Sequence, residues 1–180
     1  LVGQAIHTIL ERANVDGSAE ERLFLQGADW TVSGAFDHFT LTEGVLSDYK
    51  VTSVWSIRDG GRSEWPAQVN TYAHLLRAHG YTVKQVRVVA IGRDWRKNEA
   101  LRYGSSGYPI HQVTVIPLLL WPPNVCEQYL RDRVQAHQAA EVGPLPHCTP
   151  DERWQRPAVW AVVKDGNKKA TSLHDTESEA

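Results

Sequence analysis

Two runs rich in apolar and β-branched residues, Trp30 to Phe39 and Val45 to Val51, flank a Thr42-Glu43-Gly44 break. Such a pattern predicts a β-hairpin. Upstream the spacing is helical: Ile6, Ile9, Leu10 and Ala13 predict a helix from Gly3 to Ala13, closing near Asn14 to Gly17. Ser18 is placed to cap a second short helix through Gln26, with Glu20 and Glu21 favourable in its first turn. Arg58 to Arg62 reads as a loop, after which Ser63 is expected to cap a helix from Glu64 to about His79. Pro66 is tolerable in that helix's first turn, and Gly80 stops it.

Val83 to Ile91 predicts a strand with Val86, Val88 and Ala90 on one face. A polar stretch follows and ends in a mobile loop, Gly104 to Pro109, before a second strand from His111 to Leu120. Pro122-Pro123 introduces a helix from about Asn124 to Glu141, striped by Val125, Tyr129, Arg133 and Ala136. Gly143 to Pro150 is a linker, and Trp160–Lys164 and Lys168–Leu173 form a hairpin around Asp165-Gly-Asn. The order α-β-β-α-β-β-α points to an α/β (α+β) fold, a central mixed sheet flanked by helices.

Composition narrows the class. At 180 residues, 42% hydrophobic and 22% charged, the chain suits one globular domain with its own core. No apolar run approaches the roughly 20 residues of a membrane span, so no membrane partner is expected. No signal-peptide pattern is present, and two cysteines, Cys126 and Cys148, make no disulfide framework, so an intracellular, cytoplasmic setting is expected. The chain opens at Leu1 and has no methionine, so a natural N-terminus further upstream is expected. Its formal charge of -2 argues against a general nucleic-acid coat. Between Arg77 and Arg102, however, seven cationic residues meet only Asp94 and Glu99, an excess suited either to a phosphate backbone or to solvated faces around a sheet.

The hairpin carries the chemistry. A two-residue turn centred on Thr42-Glu43 sets Asp37 opposite Asp48; a turn at Glu43-Gly44 sets it opposite Lys50. Asp48 and Lys50 share a face because strand side chains alternate. Either register gathers two carboxylates and an ammonium within roughly 5–8 Å. Such groups suit a hard divalent cation, which takes one or two carboxylates plus waters and a substrate phosphate. The plain alternative is a cross-strand salt bridge on a solvated face.

The ordered set Gly3-x-x-x-His7, Gly34-x-x-Asp37, Asp48-Tyr49-Lys50 and Gln68-x-x-x-Tyr72 resembles the RecB-like branch of the PD-(D/E)XK nuclease superfamily. That branch includes exonuclease domains of recombination machines, CRISPR-associated nucleases and phage recombination nucleases. The match covers roughly residues 1–95, and the tail from Cys148 to Trp154 looks like that of small phage versions. The resemblance implies a restriction-endonuclease-like core: one nuclease domain over 1–180, with the motifs in about 1–120 and a C-terminal helix and hairpin in 121–180.

It also implies roles. Asp37, Asp48 and the Tyr49 carbonyl would hold Mg²⁺ or Mn²⁺, with His7 completing or biasing the site toward Mn²⁺. Lys50 would position the attacking water and offset phosphate charge, and Gln68 and Tyr72, one helical turn apart, would line the groove near the scissile phosphate. Trp55 and Trp65 are candidates for stacking on bases, although core or rim packing is the ordinary role of tryptophan. His74 and His79 do not make a zinc pair. Several relatives in this branch carry a four-cysteine iron–sulfur cluster; two cysteines cannot supply one, so no iron–sulfur cluster is expected. The implied activity is hydrolysis of DNA, single- or double-stranded, by an exonuclease of phage-type recombination, in the host cytoplasm if phage-encoded. A recombination annealing protein or further copies of the chain are the implied protein partners. A resolvase-like endonuclease, a silent nucleic-acid-binding module and an RNA nuclease are the alternatives.

Overall fold

The computed structural model describes residue 8 and residues 18–19, 21–58, 60–150, 152–153 and 155–179. Two compact units divide the chain, Leu1–Gln135 and Ala136–Ala180. The helix expected over Gly3 to Ala13, with His7 and Glu20, lies outside the described residues, Thr8 excepted.

The first unit is built on a five-stranded mixed sheet. Its strands in spatial order are β1 (Ser18–Ala19), β4 (His38–Thr40), β5 (Val45–Thr52), β6 (Gln85–Gly92) and β7 (Val113–Leu118). β5 and β6 run parallel and every other neighbouring pair is antiparallel. A separate antiparallel ribbon joins β2 (Arg22–Gln26) to β3 (Thr31–Ala35). The parallel pair needs a crossover, supplied by α1 (Val54–Arg58) and α2 (Trp65–Ala78). α2 packs on β2, β3, β5 and β6, driving Trp65, Val69, Ala73 and Leu76 into the core at 3% exposure or less. Val86, Val88 and Ala90 meet them from β6, as their alternation predicts. Gly80, at φ +86°, ends the helix: its amide bonds to Arg77 O and that of Tyr81 to Leu76 O, which closes the last turn.

Several expectations are corrected. Ser18–Ala19 and Arg22–Gln26 are strands, not parts of a capped helix: Leu23 and Leu25 alternate inward, and the second strand gains a partner in β3. The run from Trp30 to Thr40 is two strands in two sheets, broken at Phe36-Asp37. Ser63 does not cap α2; Glu64 precedes the helix without a side-chain cap bond. The stretch from Gly104 is not a loose loop. α3 (Lys97–Tyr103) and a 3₁₀ turn (Gly104–Ser106) lead into it, the Trp95 indole N–H bonds to Pro109 O at 2.8 Å, and Tyr108 Oη accepts the Arg96 amide at 2.9 Å.

α4 (Pro123–Val142) buries Cys126 and Leu130 rather than the Val125–Arg133 stripe, and Tyr129 stacks edge-on against Trp121. Burial pushes the Cys126 thiol up to about 11. In the second unit β8 (Trp160–Val162) pairs antiparallel with β9 (Ser172–His174), the expected second hairpin. No helix of the described residues is long and apolar enough to cross a membrane.

Candidate active site

Asp37 stands where the chain leaves the β2–β3 ribbon and enters the main sheet. Phe36 and Phe39, each 1% exposed, anchor this corner edge-to-face, and Phe39 packs on Tyr81 in the same way. The ladder pairs Thr40 with Val45, Phe39 with Leu46 and His38 with Ser47. This is the register of a turn centred on Thr42-Glu43, and one further step sets Asp37 across from Asp48. β4 has ended there, so the Tyr49 amide faces an empty ladder position and donates instead to Asp37 Oδ2 at 2.6 Å. The amide and carbonyl of one strand residue point to the same neighbour, so the Tyr49 carbonyl is directed to the edge that Asp37 occupies.

Asp48 is 2% exposed, on the face that α2 covers, between Leu46 and Val88. Its Oδ2 lies 2.9 Å from Lys50 Nζ, whose side chain keeps 25% of its surface. Lys50 also offsets part of the cost of burying this carboxylate. The opposite face carries the row His38, Ser47 and Arg87. Arg87 Nε donates to Ser47 Oγ at 2.8 Å. Burial and the Arg87 charge hold the His38 imidazole below its usual range. Burial raises the Tyr49 phenol, Arg87 opposes that shift and Asp37 adds to it.

Gln68 and Tyr72 lie on α2, with Gln68 Nε2 donating to Tyr72 Oη at 2.8 Å. The Tyr72 ring rests on Gly34, where an added Cβ would come within 2.7 and 2.8 Å of ring carbons. The two motifs are therefore one contact: the glycine of Gly34-x-x-Asp37 is the seat of the tyrosine of Gln68-x-x-x-Tyr72.

Asp37, Asp48 and the Tyr49 carbonyl carry hard oxygen donors, the kind of atom Mg²⁺ or Mn²⁺ takes alongside water. Among the described residues no three His, Cys, Asp or Glu side chains cluster as metal ligands. Trp65, 3% exposed, is a core residue and cannot stack on a base, whereas Trp55 is 61% exposed. His79 Nδ1 bonds to Leu75 O at 2.9 Å.

Asp94 escaped the sequence reading. Its Oδ1 accepts the Val54 amide at 2.8 Å and its Oδ2 the Ser53 hydroxyl at 3.1 Å, so it caps α1 from the turn after β6. No local pattern marks a cap that lies 40 residues away in sequence. The Arg58 guanidinium over the Trp55 ring, 4.4 Å from its centroid, had a usable signal: an aromatic and an arginine three apart on one helix.

No family model matches the chain, and no curated protein matches it. Among solved structures, the crystal structure of SSO0001 aligns with a TM-score of 0.46 at 10% identity, covering 81% of this chain and 70% of that one. Likeness at that level carries no functional argument.

Proposed function

We propose that this chain is a Mg²⁺- or Mn²⁺-dependent deoxyribonuclease, an exonuclease of phage-type recombination or DNA processing. The observation that supports it best is the convergence of Asp37, Asp48 and Lys50 where β4 ends against β5. When bound, the cation supplies Lewis-acid stabilisation of charge on the phosphate and lowers the pKa of a coordinated water. Asp37, Asp48 and the Tyr49 carbonyl are the groups that would hold it. Lys50, kept in place by Asp48, orients the attacking water and offsets phosphate charge. Tyr72, with Gln68 donating to its oxygen, keeps its own O–H to donate to a phosphate oxygen. No covalent intermediate is required.

A second reading draws on the same bonds. Asp37 completes a strand edge and Asp48 neutralises Lys50, so both carboxylates also have structural uses in a silent binding module. Degradation of a linear duplex labelled at both ends, with Mg²⁺, Mn²⁺ or chelator, beside Lys50→Ala, separates the two. The nuclease gives metal-dependent loss of label that the variant lacks by at least a hundredfold. Cutting of a closed circle would instead indicate an endonuclease. A wild type as inert as the variant with either metal, on duplex and single strands, defeats the reading.

A further inference from the structure

Beyond the C-terminal ends of the parallel pair β5 and β6, where ligands of open α/β sheets commonly sit, α1 and α3 enclose a cleft of about 270 Å³. Val54, Trp55, Tyr103 and Tyr108 line it together with Arg58 and Glu99. These aromatic surfaces are not core. Trp55 is 61% and Tyr103 40% exposed, and each carries a guanidinium over its ring: Arg58 at 4.4 Å and Arg102 at 5.1 Å from the centroids. The walls are fixed before any ligand arrives, by the Asp94 cap on α1 and by the bonds that hold Pro109 and Tyr108. Arg93, Arg96 and Lys97 lie in the adjoining segment.

We infer that this cleft holds one unpaired nucleobase of the strand whose phosphate lies at Lys50. Flat aromatic walls accept any base, because every base has a π face, and the Glu99 carboxylate offers an acceptor to a base N–H. The surrounding cations meet the phosphates on either side. Trp55 follows Lys50 by only five residues, so chain geometry limits their separation to about 17 Å. The strand and its anchor come from the nuclease reading, on which the assignment rests, while stacking is measured without cleavage.

The test is anisotropy of a labelled oligothymidine and of an abasic strand of equal length, both in chelator, with wild type, Trp55→Ala, Tyr103→Ala and Lys50→Ala. Wild type binds the base-bearing strand more tightly. Trp55→Ala loses about tenfold on oligothymidine, the scale of one stacked base, and nothing on the abasic strand. Lys50→Ala retains the preference for bases. Tyr103→Ala, predicted to show the same selective loss, serves if Trp55→Ala fails to fold. Equal wild-type binding of the two strands, no binding of either, or folded variants that bind oligothymidine as wild type does overturns the assignment. Metal-dependent cleavage without base preference removes the cleft and leaves the nuclease. Base preference without cleavage in any metal removes the nuclease and leaves the stacking site.

Discussion

Asp94 accepts the Val54 amide and the Ser53 hydroxyl from a turn that follows β6, so it ties the first turn of α1 to a strand distant in sequence. The bond to the Val54 amide, chiefly, holds its carboxyl below the usual aspartate range; desolvation opposes it, and the Asp94 backbone N–H, the Ser53 hydroxyl and the Arg93 charge add smaller help. A depressed folded pKa contributes stability that is present above the unfolded value and is lost as pH falls through the folded one. Asp94→Ala is therefore expected to cost about 1 kcal/mol at neutral pH, the usual value of a helix cap. In urea titrations the gap between wild type and variant should close as pH falls below the usual aspartate range. A gap that persists in acid would mean the side chain acts through packing rather than charge. Cys126 shows the opposite case: its thiol is buried, raised to about 11 and donating to Asn70 O at 3.2 Å, so alkylating reagents should spare it while modifying exposed Cys148.

At the scale of elements, α2 is fastened to the segment after β7 by one buried amide. Asn70, 1% exposed, donates to Pro66 O at 2.9 Å and Leu119 O at 3.0 Å and accepts the Trp121 amide at 2.7 Å. Arg77 adds a bond to Trp121 O at 3.0 Å. Asn70→Ala removes the partner of the part-buried Trp121 N–H and of the Leu119 carbonyl and is expected to cost about 1–2 kcal/mol. The urea midpoint should fall with an unchanged slope; a change below about 0.5 kcal/mol would show that water replaces the amide. Asn70 illustrates what sequence reasoning does not reach. Local patterns located β5, α2, β6 and α4 to within a few residues: α2 and β6 bury the faces their spacing marks, whereas α4 buries a different stripe from the one read in it. The approach of Asp37 to Asp48 was legible only as one of two registers, and the ladder takes the one centred on Thr42-Glu43. The corner at Phe36-Asp37 was not legible, because two apolar runs in one line read as one strand until both phenylalanines find the same core. Ser18, Glu20 and Glu21 mimicked a helix start for the same reason: local caps were visible and the partner strand β3 was not.

For the molecule as a whole, the division into 1–135 and 136–180 places the catalytic candidates, the proposed cleft and nearly all of the buried core in the first unit. Residues 143–150 between α4 and the second unit's hairpin are exposed throughout and have no regular structure. Exposed, irregular backbone is where proteases cut first. Limited proteolysis with a nonspecific protease is expected to give a resistant fragment ending within 143–150 before any cut in β5, α2 or β6, as read by mass spectrometry. Early cuts in the 104–110 segment instead would contradict the bonds that fix Pro109 and Tyr108.

The seat of Tyr72 on Gly34 gives the spacing between glycine and aspartate a meaning of its own. The helix locates the glycine, and three residues of chain then carry that position around the corner to the carboxylate. The interval works as a gauge between a helix and a strand edge. Strand side chains reverse sides with each residue, so one residue more or fewer in that interval would turn Asp37 away from the Tyr49 amide. Such a chain would retain every motif residue and still lack the arrangement they make.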